Sequence, residues 1–213
     1  LIHADATQYV GWGDQMLAQK KYDAAAKYFG AAIKADPRNA AAYHGMAFAY
    51  VGMGDQMLAQ RQYAAAAKYF AIVVKADAHN ASAYRGLGYS YMGIRDVSHG
   101  TQYLEYSLRL NPADDGVRKY LDRIYQGYGN QYYQRGDKTN ALAWWDKALR
   151  VDPDNTQLAS YVASVRSSSP QAPGATAVAA KGGAESVGPT PGINPWIMGG
   201  AVAILGAVMI FLF

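Results

Sequence analysis

The sequence predicts an all-α protein built from helical hairpins, and three features point that way. Two stretches nearly coincide at a spacing of 41 residues, GDQMLAQKKYDAAAKYF from Gly13 to Phe29 and GDQMLAQRQYAAAAKYF from Gly54 to Phe70. Both are rich in Ala, with Met, Leu, Gln and Lys between, residues that lose little on entering a helix. Each ends in a turn sequence, Ala35-Asp36-Pro37-Arg38-Asn39 and Ala76-Asp77-Ala78-His79-Asn80, and similar turns follow at Asn111-Pro112 and Asp152-Pro153-Asp154-Asn155. Such turns stop one helix and cap the next, so four helix pairs are implied.

Counting back from the turns gives four units, near 6–39, 47–80, 81–114 and 122–155. The first carries Tyr9, Trp12, Gly13, Ala25, Phe29, Ala32 and Pro37. The second carries Tyr50, Met53, Gly54, Ala66, Phe70 and Val73, with Ala78 where the first has proline. The third has Tyr84, Leu87, Gly88, Tyr91 and Pro112 but is looser at Gly100, Leu104 and Ser107. The fourth has Tyr125, Tyr128, Gly129, Tyr132, Gly136, Ala141, Trp145, Ala148 and Pro153. This pattern resembles the tetratricopeptide repeat, a helix–turn–helix unit of about 34 residues. The resemblance implies a right-handed superhelix of about four hairpins, in which Gly13, Gly54, Gly88 and Gly129 let the two helices of a pair approach closely.

One hairpin cannot bury its apolar face alone, so stacked repeats need a lid at the end. Residues 156–166 supply one, with Leu158, Tyr161, Val162 and Val165 spaced along one helical face. Seven extra residues precede the second unit (40–46) and the fourth (115–121). Seven residues are nearly two turns and drift by only about 20°, so the first helices of these units are expected to lengthen without turning their faces, and to protrude.

Beyond this domain, taken as 1–166, the composition breaks: Lys181 and Glu185 are the only charged residues that follow Arg166. Residues 167–195 are rich in Ser, Pro, Ala and Gly without apolar period, which predicts a flexible linker. Residues 196–213 open with Trp196 and continue through the uncharged run IMGGAVAILGAVMIFLF. At about 1.5 Å per residue this run reaches roughly 25 Å, close to a hydrocarbon layer, and is expected to form a single transmembrane helix. Gly199, Ala203, Gly206 and Ala207 give it a smooth side for contact with another membrane helix.

Charge and composition also exclude functions. The net charge of +4 is spread without a basic block, against a nucleic-acid partner. With no cysteine, disulfide frameworks and thiol catalysis are excluded. His3, His44, His79 and His99 lack metal-ligand spacing; no Gly-x-Ser-x-Gly or phosphate-loop motif occurs, and many of the aspartates sit at turns and helix starts. No catalytic residue, metal or cofactor is expected, no small-molecule substrate, and no enzyme.

In the resembling family the first helices line a groove that receives segments of other proteins. Carried onto this chain, those offsets select His44, Phe48, Val51 and Asp55 in the second unit, Arg85, Tyr89 and Met92 in the third, and Lys119, Arg123, Gln126 and Tyr133 in the fourth. The chaperone-tail pocket found in some members uses Lys and Asn where this chain has Val10 and Asp14, so the pocket lacks its cation and carries an anion, and a chaperone adaptor is not expected. The function implied is a membrane-anchored scaffold for protein–protein interaction and assembly at a bilayer surface. The alternative is an integral or accessory subunit of a larger bacterial membrane complex, such as envelope or electron-transfer machinery, with other subunits of that complex as partners. The start at Leu1 without methionine suggests an export segment upstream. The repeats are then expected in the periplasm, with a cytosolic tail-anchored arrangement as the other option.

Overall fold

The computed structural model describes residues 5–168, which form nine helices and no strand among the described residues. They divide into two compact units, one ending at Asn111 and the other beginning at Pro112. The expected membrane helix, with Gly199, Ala203, Gly206 and Ala207, and all but the first two residues of the expected linker lie outside the described residues. Among the described helices none is long and apolar enough to cross a membrane.

The first unit contains α1 (Ala6–Ala18), α2 (Tyr22–Ala35), α3 (Ala40–Ala59), α4 (Tyr63–Ala76), α5 (Ala81–Gly93) and α6 (Val97–Leu110). Each helix packs on its chain neighbours, and α3 also meets α1 and α5. The first helix of each pair starts on a side-chain cap. Asp5 and Gln8 form a reciprocal capping box on α1, and the Asn39 and Asn80 side chains accept from the Ala42 and Ala83 N–H groups at 2.9 and 3.0 Å. Asp36 and Asp77 fold the turns before them, each accepting a bond from the backbone two residues on.

Within each pair the chain reverses through one residue in the left-handed conformation: Lys20 (φ 56°), Arg61 (φ 59°) and Arg95 (φ 67°) in the first unit, and Gly136 (φ 80°) in the second. That conformation lets the following N–H groups fold back on the last carbonyls, as Lys21 does to Met16 and Gln62 to Met57. Only at position 136 is the residue one without a steric cost there.

The glycines foreseen as contact points hold the large side chain of the facing helix. Phe29, fully buried, lies between Gly13 of α1 and Gly45 of α3, where an added Cβ would stand 2.6 and 2.2 Å from its ring. Phe70 lies in the same way between Gly54 of α3 and Gly86 of α5. Burying one such ring stabilises by about 1.5–3 kcal/mol. Around Phe70 the core also takes in Val73, Tyr84, Leu87, Tyr91 and Tyr103. Burial, then the neighbouring Tyr91 and Tyr84, push the Tyr103 hydroxyl up to about 12, so it stays protonated at any physiological pH.

Helix lengths show where the seven extra residues go. The helix α3 has 20 residues against 13 in α1 and α5. The seats it offers to its two neighbours, Gly45 for Phe29 and Gly54 for Phe70, are nine positions apart, whereas on α5 Gly86 and Gly88 are two apart. Both spacings bring the seats to opposite faces, since seven residues are almost two whole turns. The difference therefore slides α4 along α3 by about 10.5 Å relative to α2. The added turns do not simply project into solvent, because Ala42 and Gly45 are buried.

The second unit contains α7 (Asp115–Gln134), α8 (Lys138–Val151) and α9 (Thr156–Ser167). Gly129 of α7 receives the fully buried Trp145 of α8. The indole N–H donates to Asn130 Oδ1 at 3.1 Å. Helix α9 lays Leu158, Val162 and Val165 inward, and its Arg166 donates to both Asp146 carboxylate oxygens at 2.6 Å.

Candidate functional site

In the first unit the expected groove residues lie on the first helices. His44, Phe48, Val51 and Asp55 recur every three or four residues, so they form one stripe down α3. The His44 and Phe48 rings meet edge to face at 4.8 Å, and Phe48 keeps 56% of its surface exposed. Val51 is half-buried against the Phe70 core. Partial desolvation raises the Asp55 carboxyl above its usual range, and the Arg85 guanidinium on α5 opposes that shift. The stripe thus runs from an exposed aromatic edge to an acid facing a base on the neighbouring helix. Arg85, Tyr89 and Met92 are all half-buried on α5, with Met92 lying over Gly100 of α6.

In the second unit the expected residues divide between exposed and packed. Lys119 and Arg123 are exposed on α7. Gln126 donates to both Asp122 oxygens at 2.8 Å, along its own helix. Tyr133 packs its ring 5.4 Å from Trp145 and 6.0 Å from Tyr161, tying α7 to α8 and α9. Its role in this unit is therefore largely structural.

A concavity that the sequence reading did not foresee lies about 90° round α3 from that stripe, at 3.6 residues per turn. It is a trough of about 800 Å³. Ala40, Tyr43, Ala47 and Tyr50 of α3 form its floor, Ala26 and Ile33 of α2 one wall, and Ile72, Val73 and Ala76 of α4 the other. Lys27, Arg38, His44 and Asp77 stand at its edges. The slide of α4 accounts for it: with Phe70 seated at Gly54, α4 ends level with the middle of α3 and leaves the first turns of that face uncovered. Tyr43 is 52% exposed there as a result. Asp77 is engaged by the His79 N–H at 2.9 Å. Lys27 and Arg38 are exposed, and no ion pair among the described residues involves them. The signal that could have found the trough is the nine-residue spacing of Gly45 and Gly54, compared with the two-residue spacing of Gly86 and Gly88.

Among the described residues no group of three or more His, Asp or Glu could hold a metal ion. His99 Nδ1 lies 2.7 Å from Asp96 Oδ2 within one helix start, alongside the Asp96 cap on the His99 N–H.

Three family models, each described as tetratricopeptide repeat, match residues 16–55, 52–115 and 123–155. No curated protein matches the chain. Similar solved structures include MamA from Desulfovibrio magneticus, at 20% identity over 71% of this chain and 77% of that one, with a TM-score of 0.38. YrrB, described as having an unusual peptide-binding site, is similar at 18% identity over 74% and 91%, with a TM-score of 0.43. A repeat protein from Bacteroides fragilis is similar at 15% identity over 78% and 99%, with a TM-score of 0.44.

Proposed function

We propose that this chain, which belongs to the tetratricopeptide repeat family, is a non-enzymatic scaffold that binds segments of other proteins along the first-helix faces of its repeats. The observation that carries this reading is the α3 stripe: Phe48, a large aromatic side chain, is left exposed beside His44, with Asp55 further along the same face and Arg85 on the neighbouring helix. An aromatic edge next to charge is the kind of surface that anchors partners, because the ring supplies area and the charges set register. Phe48→Asp tests it. Capture of native partners from membrane extracts should fall about tenfold while helicity is unchanged, since an anchoring aromatic contributes upwards of 1 kcal/mol. Unchanged capture would remove the stripe from the binding surface.

The scaffold is further proposed to be tethered to a bilayer by residues 196–213, at the end of the linker 167–195, with the repeats on the periplasmic side. Support comes from the uncharged run 197–213 and from the Trp that precedes it, a residue type favoured at membrane–water interfaces. Tethering raises the effective concentration of the stripe near membrane-bound partners without adding a contact. Flotation with lipid vesicles separates the possibilities: the full chain should float and a chain ending at Pro195 should not. Flotation of both would refute the tether. Protease added outside intact spheroplasts should digest the repeats if they are periplasmic and spare them if they are cytosolic.

A further inference from the structure

We propose that the trough on α3 is a second binding site, sharing only His44 with the stripe, and that it takes about two turns of an amphipathic helix from a partner protein, with a carboxylate beside its apolar face.

Size and shape argue for the helix. Because α4 is slid by about 10.5 Å, the uncovered part of α3 is about two helical turns long. The trough, about 800 Å³, is large enough to take the side chains of a guest helix along those two turns. Alanines at 26, 40, 47 and 76 keep floor and walls low enough for another helix to approach closely.

Backbone chemistry argues against an extended segment. The walls are helices whose interior N–H and C=O groups are paired within their own turns, so an extended guest would have to bury unpaired backbone groups against apolar walls. A helical guest brings its own hydrogen bonds and presents only side chains. Charge then selects among helices. Lys27 and Arg38 stand unpaired at the edges, whereas Asp77 is engaged by its own turn. The surplus is positive, so the favoured guest carries Glu or Asp next to its apolar stripe.

The test uses the full chain in neutral detergent micelles and two fluorescent synthetic helical peptides, with empty micelles as the blank. Both have leucines at positions i, i+3, i+4 and i+7; one is otherwise rich in glutamate and the other in lysine. Anisotropy should show the glutamate peptide binding about tenfold more tightly than the lysine peptide. The double variant Lys27→Glu, Arg38→Glu should remove that preference. Ala76→Trp, which fills the trough from an exposed position, should weaken both peptides at least tenfold, whereas Phe48→Asp should leave both unchanged. Absence of saturable binding, equal affinity for the two peptides, or insensitivity to Ala76→Trp overturns the proposal. So does loss of binding in Phe48→Asp alone, which would move the peptide to the stripe. A full chain that sediments as a dimer and becomes a monomer on Ala76→Trp would make the occupant a second copy, and would overturn it equally.

Discussion

The contact between Gly45 and Phe29 makes a sharp prediction, because the ordinary expectation for glycine in a helix has the opposite sign. Gly45→Ala should remove backbone entropy from the unfolded chain and stabilise a helix interior by about 1 kcal/mol. Its Cβ, however, would stand 2.2 Å from Phe29 Cε1 and 2.3 Å from Cζ. The ring would have to retreat by about 1.3 Å to restore a carbon–carbon contact of about 3.5 Å. It has no room to do so, being fully buried with Gly13 on its other side at a spacing that already excludes a Cβ. Overpacking of this kind costs about 1–3 kcal/mol and more where nothing can yield, so against the propensity gain of about 1 kcal/mol a net loss of up to about 2 kcal/mol is expected. Urea unfolding of the intact chain, followed by circular dichroism, measures it. Gly11→Ala is the control: an added Cβ there meets nothing within 4 Å, and the substitution should stabilise. Adding Phe29→Leu to Gly45→Ala should recover part of the loss, giving a favourable coupling between the two changes. If Gly45→Ala stabilised as much as Gly11→Ala, the clamped ring would not be what sets the approach of α2 to α3.

Three further outcomes follow from local geometry. Arg95→Gly should stabilise by about 0.5–1 kcal/mol, because the left-handed backbone at this position suits glycine, and Gly136→Lys should cost about as much; both are read as shifts in the urea midpoint. Asn130→Leu should cost about 1–3 kcal/mol by leaving the buried Trp145 indole N–H without its acceptor, and Trp145→Phe in the same background should recover part of the loss, measured by thermal unfolding. The Asp137 carboxyl titrates below its ordinary value, held there by the side-chain and then the backbone hydrogen bond from Asn140. With the folded value depressed, this cap is fully stabilising above the unfolded-state value and is lost as pH falls through the folded one. Asn140→Ala should therefore move the Asp137 midpoint upward in a carbon-detected NMR titration; an unmoved midpoint would show that the side-chain bond does not hold it down.

Helices and their order were legible in the sequence because local signals suffice for them. Asn39, Asn80 and Asp137 mark starts through a hydrogen bond three residues long, and alanine-rich stretches with one large residue per turn mark the buried faces. The lengthening of α3 and α7 was legible too, since seven residues preserve a helix face. The partner of each glycine was harder to read. Gly13 and Gly45 share Phe29 although they lie 32 positions apart, and a repeat pattern aligned within units does not show what happens between them. For the same reason the trough was missed: it arises from the offset between two second helices, a quantity no single repeat contains. Of the expected groove, the exposed Phe48 and the half-buried Tyr133 have the same aromatic character in sequence. Only the placement of Trp145 and Tyr161 around Tyr133 separates the one from the other.

The order of helix lengths also bears on how such a chain could change size. Starts at 6, 22, 40 and 63 recur at 81, 97, 115 and 138, so the cadence of 13, 14, 20 and 14 residues is played twice at an interval of 75. Duplicating or excising a single hairpin would put a long helix beside another long one, or a short beside a short. Within the first unit, loss of the second hairpin alone would set α1 beside α5, two 13-residue helices with no long one between them, so the long α3 is what offsets its neighbours there.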